Sequence, residues 1–257
     1  MRISPISFSY DRSVRRFDRV QNPFIQPMKC DSVHFTGNTV QSKKVIMLLG
    51  APNSGKGTFG RELAKKYGIP QISTGDILRN EVKNATVLGA KAKSFMDSGG
   101  LVPNELIMEI FEKRIAQDDC KRGFILDGFP RTIDQAQDLD IILKRDKNVD
   151  LKIVNLDIDT NILFQRCVNR YICEDCSKTH SLKDGHDANL HKCDCGGKLI
   201  KRADDTPKVF AQRLSKYKTE TFPLIEYYGN KVKNVAVYGA DVPAEKTLSK
   251  VLYVLEN

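Results

Sequence analysis

The chain has 257 residues, is 40% hydrophobic and carries a formal net charge of +9. That is enough apolar material for a full core. The longest apolar runs, such as Val45 to Leu49, are far too short to cross a bilayer. The positive balance asks for an anionic partner without choosing between nucleotide, nucleic acid and membrane surface.

Residues 1–43 carry Arg2, Arg12, Arg15, Arg16 and Arg19, several serines and no sustained hydrophobic period. A secretory signal needs a continuous apolar stretch, and Asp11, Asp18 and Asp31 weigh against an organellar transit peptide. The segment therefore reads as a disordered tail, with organellar targeting as the alternative and the cytoplasm as the expected location.

Val45 to Leu49 reads as a buried strand, followed by Gly50-Ala51-Pro52-Asn53-Ser54-Gly55-Lys56-Gly57-Thr58 and by helical character over Arg61 to Tyr67. Strand, G-x-x-x-x-G-K, helix is the context of a phosphate loop. Its backbone N–H groups and the helix N-terminus would face one anion, with Lys56 adding a point charge. The pattern departs from the usual one at Gly57, which stands where Ser or Thr ordinarily follows the lysine.

Gly68 ends that helix and Pro70 opens a new segment. Ile72 to Arg79 reads as a short strand turning into a helix, Ala85 to Gly99 as a small-residue helix, and Pro103 to about Gln117 as another. Phe124 to Asp127 is a second buried strand and Asp134 to Lys144 a helix. A third strand covers Leu151 to Leu156, and a helix covers Asn161 to Arg170. Helices over Lys208–Tyr217 and Phe222–Tyr228, a strand over Val235–Tyr238 and a helix over Ala244–Leu255 complete the chain. Strands alternating with helices predict an α/β fold with a parallel sheet covered on both faces and ligands at the strands' carboxyl ends.

Residues 171–205 differ in texture, being rich in cysteine, glycine and lysine. Of the seven cysteines, four cluster here as Cys173-x-x-Cys176 and Cys193-x-Cys195, with sixteen residues between the pairs. An odd count with this clustering suits a metal-binding segment in a reducing compartment better than a disulfide framework. C-x-C is a less common chelate, and His180, His191 or Asp194 could replace one thiolate.

The stretches GAPNSGKGT (50–58), ISTGDILR (72–79), GLVPNEL (100–106), GFILDGFPRTIDQA (123–136), RADD (202–205), QRL (212–214) and FPLIEYY (222–228) occur in one order with the cysteine segment between. Over residues 44–257 the chain thereby resembles the bacterial-type adenylate kinases with a long lid. The resemblance implies a parallel-sheet phosphate-loop core (44–72, 103–168 and 207–257), a helical AMP-binding insertion (73–102) and a zinc-binding lid (169–206). It implies magnesium-dependent exchange between ATP, AMP and ADP by a monomer, with the lid closing over the nucleotides.

By that resemblance Lys56, Asp127, Arg131, Arg166, Arg202 and Arg213 serve transfer, with Asp127 near magnesium. ATP falls to Asn53, Ser54, Gly55, Lys56, Gly57, Thr58, Arg166, Arg170 and Asp241. AMP falls to Thr74, Arg79, Gly100, Leu101, Val102, Gly128, Phe129, Pro130, Arg131, Gln135, Arg202 and Arg213, and structural zinc to Cys173, Cys176, Cys193 and Cys195. Phosphoryl transfer to an ionised phosphate needs positioning and charge neutralisation rather than a strong base, which suits a set of arginines with one lysine. Relatives acting on UMP and CMP tend to carry a smaller residue for Thr74 and Asn for Gln135, so this pair favours AMP. Asn53 stands where the family usually has Gly, and Phe59 where it has Gln. Asn tolerates left-handed backbone, so the turn is expected to survive.

Two other readings stay open on the sequence, a kinase for another nucleoside monophosphate and an ATP-holding zinc module that binds nucleic acid. The second would want aromatics among its basic residues, and none lies between Cys173 and Cys195. No nucleic-acid or membrane partner is therefore expected.

Overall fold

In the computed structural model, residues 42–182, 191–202, 204–238 and 242–257 are described. The expected tail (but for its last two residues) and Asp241 lie outside them. Strand β1, Lys43–Gly50, begins one residue before the expected boundary. It alternates in period two. Val45, Met47 and Leu49 enter one core cluster, while Ile46 and Leu48 enter a second on the opposite face. A strand buried on both faces belongs in the middle of a parallel sheet.

That sheet has five strands, all pairs parallel, in the order β2-β3-β1-β4-β8. The strands are β2 (Gln71–Ser73), β3 (Gly123–Asp127), β4 (Val149–Asp157) and β8 (Val232–Ala236). From β1 the chain goes to one side for β2 and β3 and then to the other for β4 and β8. The carboxyl ends of β1 and β3 therefore sit at a reversal of strand order, where open α/β sheets bind ligands. The register pairs Leu48 with Asp127 and Ser73 with Asp127, which brings three chain segments to one point.

Helix α1 (Lys56–Tyr67) starts at the lysine of the loop, five residues earlier than its apolar pattern suggested. With α9 (Ala244–Glu256) it covers one face, through Leu63, Val251 and Leu255. On the other face lie α4 (Asn104–Ile115), α5 (Ile133–Lys144) and α8 (Leu224–Tyr228), around Phe111, Leu139 and Leu224. Between β2 and α4 the chain forms α2 (Thr74–Lys83) and α3 (Val87–Asp97). The helix expected from Ala85 starts two residues later, because Ala85 is left-handed at φ 51° and Thr86 caps α3 by accepting from the Gly89 N–H.

Other expectations change: the strand expected over Val235–Tyr238 is β8, which starts three residues earlier and ends at Ala236. Helix α6 covers Thr160–Val168 only, and Arg170 instead opens β5 (Arg170–Cys173). Asn169 leaves the helical region, and its carbonyl accepts from the Leu182 N–H, so the backbone passes from helix to sheet pairing. The cysteine-rich segment, to which the sequence assigned no elements, contains an antiparallel sheet in the order β6-β5-β7, with β6 at Thr179–Ser181 and β7 at Leu199–Ile200. After α7 (Pro207–Lys216), a π-helical turn over Tyr217–Thr221 leads to α8.

Candidate active site

The loop between β1 and α1 turns through left-handed backbone at Asn53 (φ 65°) and Gly55 (φ 101°). Asn53 thus takes the conformation that glycine normally supplies. At Gly50, φ is 141°, and a Cβ there would come within 2.7 Å of the Ser54 Oγ and 2.9 Å of the Leu156 carbonyl oxygen. Glycine is required at that position. Helix α1 has no side-chain cap at Gly55, which leaves its first N–H groups available to an anion. Lys56 donates from Nζ to the carbonyls of Gly50 and Ala51, both at 2.8 Å, and so folds back over the loop.

The loop forms one wall of a cleft of about 540 Å³. Lys56, Arg79, Arg131, Arg166, Arg170, Arg202 and Arg213 all line it, as do Asn53, Gly55, Gly57, Thr58, Asp127, Gly128, Pro130 and Leu101. Ser54 is fully buried behind the loop. A smaller annex of about 50 Å³ is lined by Thr74, Gly100, Leu101, Val102 and Gln135, and shares Arg79, Arg131 and Arg213 with the cleft. Phe129 lines neither cavity. It packs in the core on Phe111 at 4.5 Å between ring centroids, anchoring the Gly128–Arg131 turn from beneath.

Burial lowers Lys56 to about 8, helped by the nearby cations Arg131, Arg170 and Arg213 and opposed by Asp127. Burial likewise lowers Arg131 and Arg202, each to about 10. Asp127 is pushed up by burial, against the pull of Lys56, and its Oδ2 accepts from Gln71 Nε2 at 2.8 Å. Such concentrated positive charge at a water-poor site is stable only with anions beside it.

Within the protein those anions are Asp76, Asp204 and Asp205, which sequence reasoning did not assign. Arg170 pairs with Asp205 (Nε–Oδ2 2.7 Å), Arg213 with Asp204 and Arg79 with Asp76. Longer contacts join α2 to the residues after β7, Arg79 to Asp204 at 3.7 Å and Arg202 to Asp76 at 3.6 Å. Burial raises Asp76 and Asp204, but the surrounding arginines outweigh it and hold both below the ordinary carboxylate range. Arg166 donates instead to two backbone carbonyls, Ser54 (3.3 Å) and Tyr238 (2.8 Å).

In the annex the Thr74 hydroxyl donates to the Gly128 carbonyl at 3.0 Å, and Gln135 Oε1 accepts the Arg131 N–H at 2.8 Å. Gln135 is thereby held in place with its NH₂ group as the donor it can offer a base. Sequence reasoning also missed Arg61, Thr179, His180, Tyr238, Val242 and Thr247 as cleft residues. None stands in a motif, and only tertiary folding brings them there.

The four sulfurs of Cys173, Cys176, Cys193 and Cys195 lie within 4.8 Å of one another. Cys173–Cys195 are 3.4 Å apart and Cys176–Cys193 3.5 Å. Thiolates about 2.3 Å from one tetrahedral ion stand at about that spacing, so the set fits zinc. The shortened C-x-C pair reaches the cluster because the turn after it is tight. A Cβ on Gly197 would lie 2.5 Å from the Cys173 sulfur. A hydrogen bond from the Lys178 backbone, with further ones from Cys195 and Cys193, lowers the Cys176 thiol to about 7, while the thiols of Cys193 and Cys195 are raised within the same network. Of the alternative ligands, Asp194 pairs with Lys178 and His180 lies against Cys193.

The adenylate kinase family model matches residues 48–233. An adenylate kinase of Alkaliphilus oremlandii is 45% identical over 196 residues, covering 76% of this chain and 90% of its own length. One of Clostridium tetani is 43% identical over 210 residues (80% and 97%), and one of Acetivibrio thermocellus 45% over 214 residues (82% and 98%). Its phosphate loop, its ring of arginines and these relatives place the chain in the adenylate kinase family.

Proposed function

We infer that the protein moves the terminal phosphoryl group of ATP to AMP, reversibly, giving two ADP. The observation that carries this is the convergence of Lys56 and six arginines on one cleft with an annex beside it. Donor phosphates lie on the phosphate loop, where the first N–H groups of α1 and the Lys56 ammonium bind them. AMP reaches from the cleft into the annex beside it, with Arg79, Arg131 and Arg213, which line both, around its phosphate. An oxygen of that phosphate attacks the terminal phosphorus of ATP in line, and the bond to the bridging oxygen breaks. Arg131 and Arg213, which line both cavities, neutralise the charge on the group in flight. As phosphates enter, Asp76 and Asp204 give up their arginines.

Magnesium, when bound with ATP, neutralises charge on the phosphates. Asp127 is the carboxylate placed to hold it, and one carboxylate suits an ion that keeps most of its waters. Zinc held by the four cysteines would stiffen a lid whose buried apolar cluster, among the described residues, is Cys173, Cys193 and Leu199. The insertions 73–102 and 169–206 serve as AMP site and lid, residues 1–43 as a tail outside the catalytic domain, and the working unit is a monomer. Among the described residues no helix is long and apolar enough to cross a membrane.

Comparison of AMP, CMP, UMP and GMP as acceptors at saturating ATP tests the reading. AMP should lead by at least about tenfold, as Thr74 and Gln135 suggest, and an equal rate with a pyrimidine would overturn it. The Lys56 ammonium, lowered to about 8, makes donor binding pH-dependent. Above that pH Lys56 is mostly neutral before the donor binds, so binding draws a proton from buffer. Calorimetry in buffers of different ionisation heat should show uptake rising between pH 7.5 and 9, through about half a proton at pH 8. Buffer-independent heats would contradict this.

A further inference from the structure

His180 belongs to β6, the three-residue strand Thr179–Ser181, and all three residues line the cleft. On the core side, Arg61 of α1 donates from Nη2 to the Thr179 hydroxyl at 3.4 Å, joining this strand to the helix that carries Lys56. On the lid side, His180 Nε2 stands 3.3 Å from the sulfur of Cys193. One residue therefore touches both the cleft wall and the cysteine cluster. The four sulfurs already number the four ligands a structural zinc takes, which leaves the imidazole as a donor to a ligating thiolate. Groups in that position orient metal ligands and tune how firmly they hold. The annex, lined by Thr74 and Gln135, includes no residue of β6.

We propose that His180 couples the metal cluster to the donor half of the cleft, its Nε2–H holding the Cys193 thiolate more firmly when a nucleoside triphosphate packs against β6. The inference rests on the reading of that half as the ATP site. A triphosphate in the cleft excludes water from β6 and strengthens the N–H···S hydrogen bond behind it. By linkage, triphosphate binding slows metal loss, and metal loading tightens triphosphate binding by the same factor. AMP, seated in the annex, has no such effect.

The test uses the full chain loaded with zinc and follows transfer of the metal to a chromophoric chelator. It is run with and without an ATP analogue whose β,γ-bridge is nitrogen, and with AMP alone. The analogue should slow zinc transfer about fivefold or more, the lower end of typical couplings, and AMP should not. His180→Ala should keep its zinc but lose most of the slowing, and His180→Gln, which retains an N–H donor, should restore part of it. Equal slowing in the wild type and His180→Ala, or none in a wild type that binds the analogue by calorimetry, would overturn the coupling. His180→Ala purified without zinc would make His180 a ligand and overturn it too. Failure of the analogue to bind would reject the reading of the cleft itself.

Discussion

Lys56→Met should lose turnover by on the order of a thousandfold, the scale for removing one preorganised charge from a site of developing negative charge. Melting temperature should hold or rise slightly. The reason is in the geometry. Nζ sits buried over the loop, held by the Gly50 and Ala51 carbonyls, and burial already disfavours its charged form. The sign follows from linkage: between pH 8 and the ordinary lysine value of 10.5 the unfolded chain binds more protons, so the folded state gains stability as pH rises there. At neutral pH the buried ammonium is a burden on folding that methionine removes, while the phosphates lose the charge they need. A variant that melts like the wild type yet turns over at a near-native rate would remove Lys56 from the mechanism.

Cys173→Ala should cut bound zinc from about one equivalent to nearly none and loosen the lid. Cys173 is fully buried at the end of β5 and is one of three residues in the small buried cluster formed there by the described residues. A segment whose described residues bury so little apolar surface would gain its fold from a bound metal. Melting temperature should fall by about 5 °C or more, since each kcal/mol moves a domain of this size by a few degrees. Turnover should fall with it, because Arg170, Arg202 and Asp204 stand at the lid's two ends and lose their settings. AMP binding in the annex, built on Thr74 and Gln135, should change less. Protein that purifies without metal, and whose stability a chelator leaves unchanged, would show that the lid is held in another way.

The parallel sheet was legible because its central strands β1 and β3 are buried on both faces, and Val45–Leu49 and Phe124–Leu126 announce this as unbroken apolar runs. The loop was legible because G-x-x-x-x-G-K stands in strand–helix context, and the gathering of Cys173, Cys176, Cys193 and Cys195 because they cluster in sequence. The end of α6 was not, since nothing before Asn169 signals that the next residues will pair as a strand. Nor was the lid sheet, whose strands are two to four residues long and too short for any period to register. The carboxylates that hold the arginines were hidden for another reason. Asp76, Asp204 and Asp205 look like solvated acids until the fold brings Arg79, Arg170, Arg202 and Arg213 to them.

The most direct measurement follows all nucleotides at once, by chromatography, after ATP, AMP and magnesium are mixed with the full chain. The structure predicts that ATP and AMP disappear one for one, that ADP appears at twice that rate, that nothing is formed without magnesium, and that ADP alone runs the reaction backward. Consumption of ATP with AMP left untouched would contradict it.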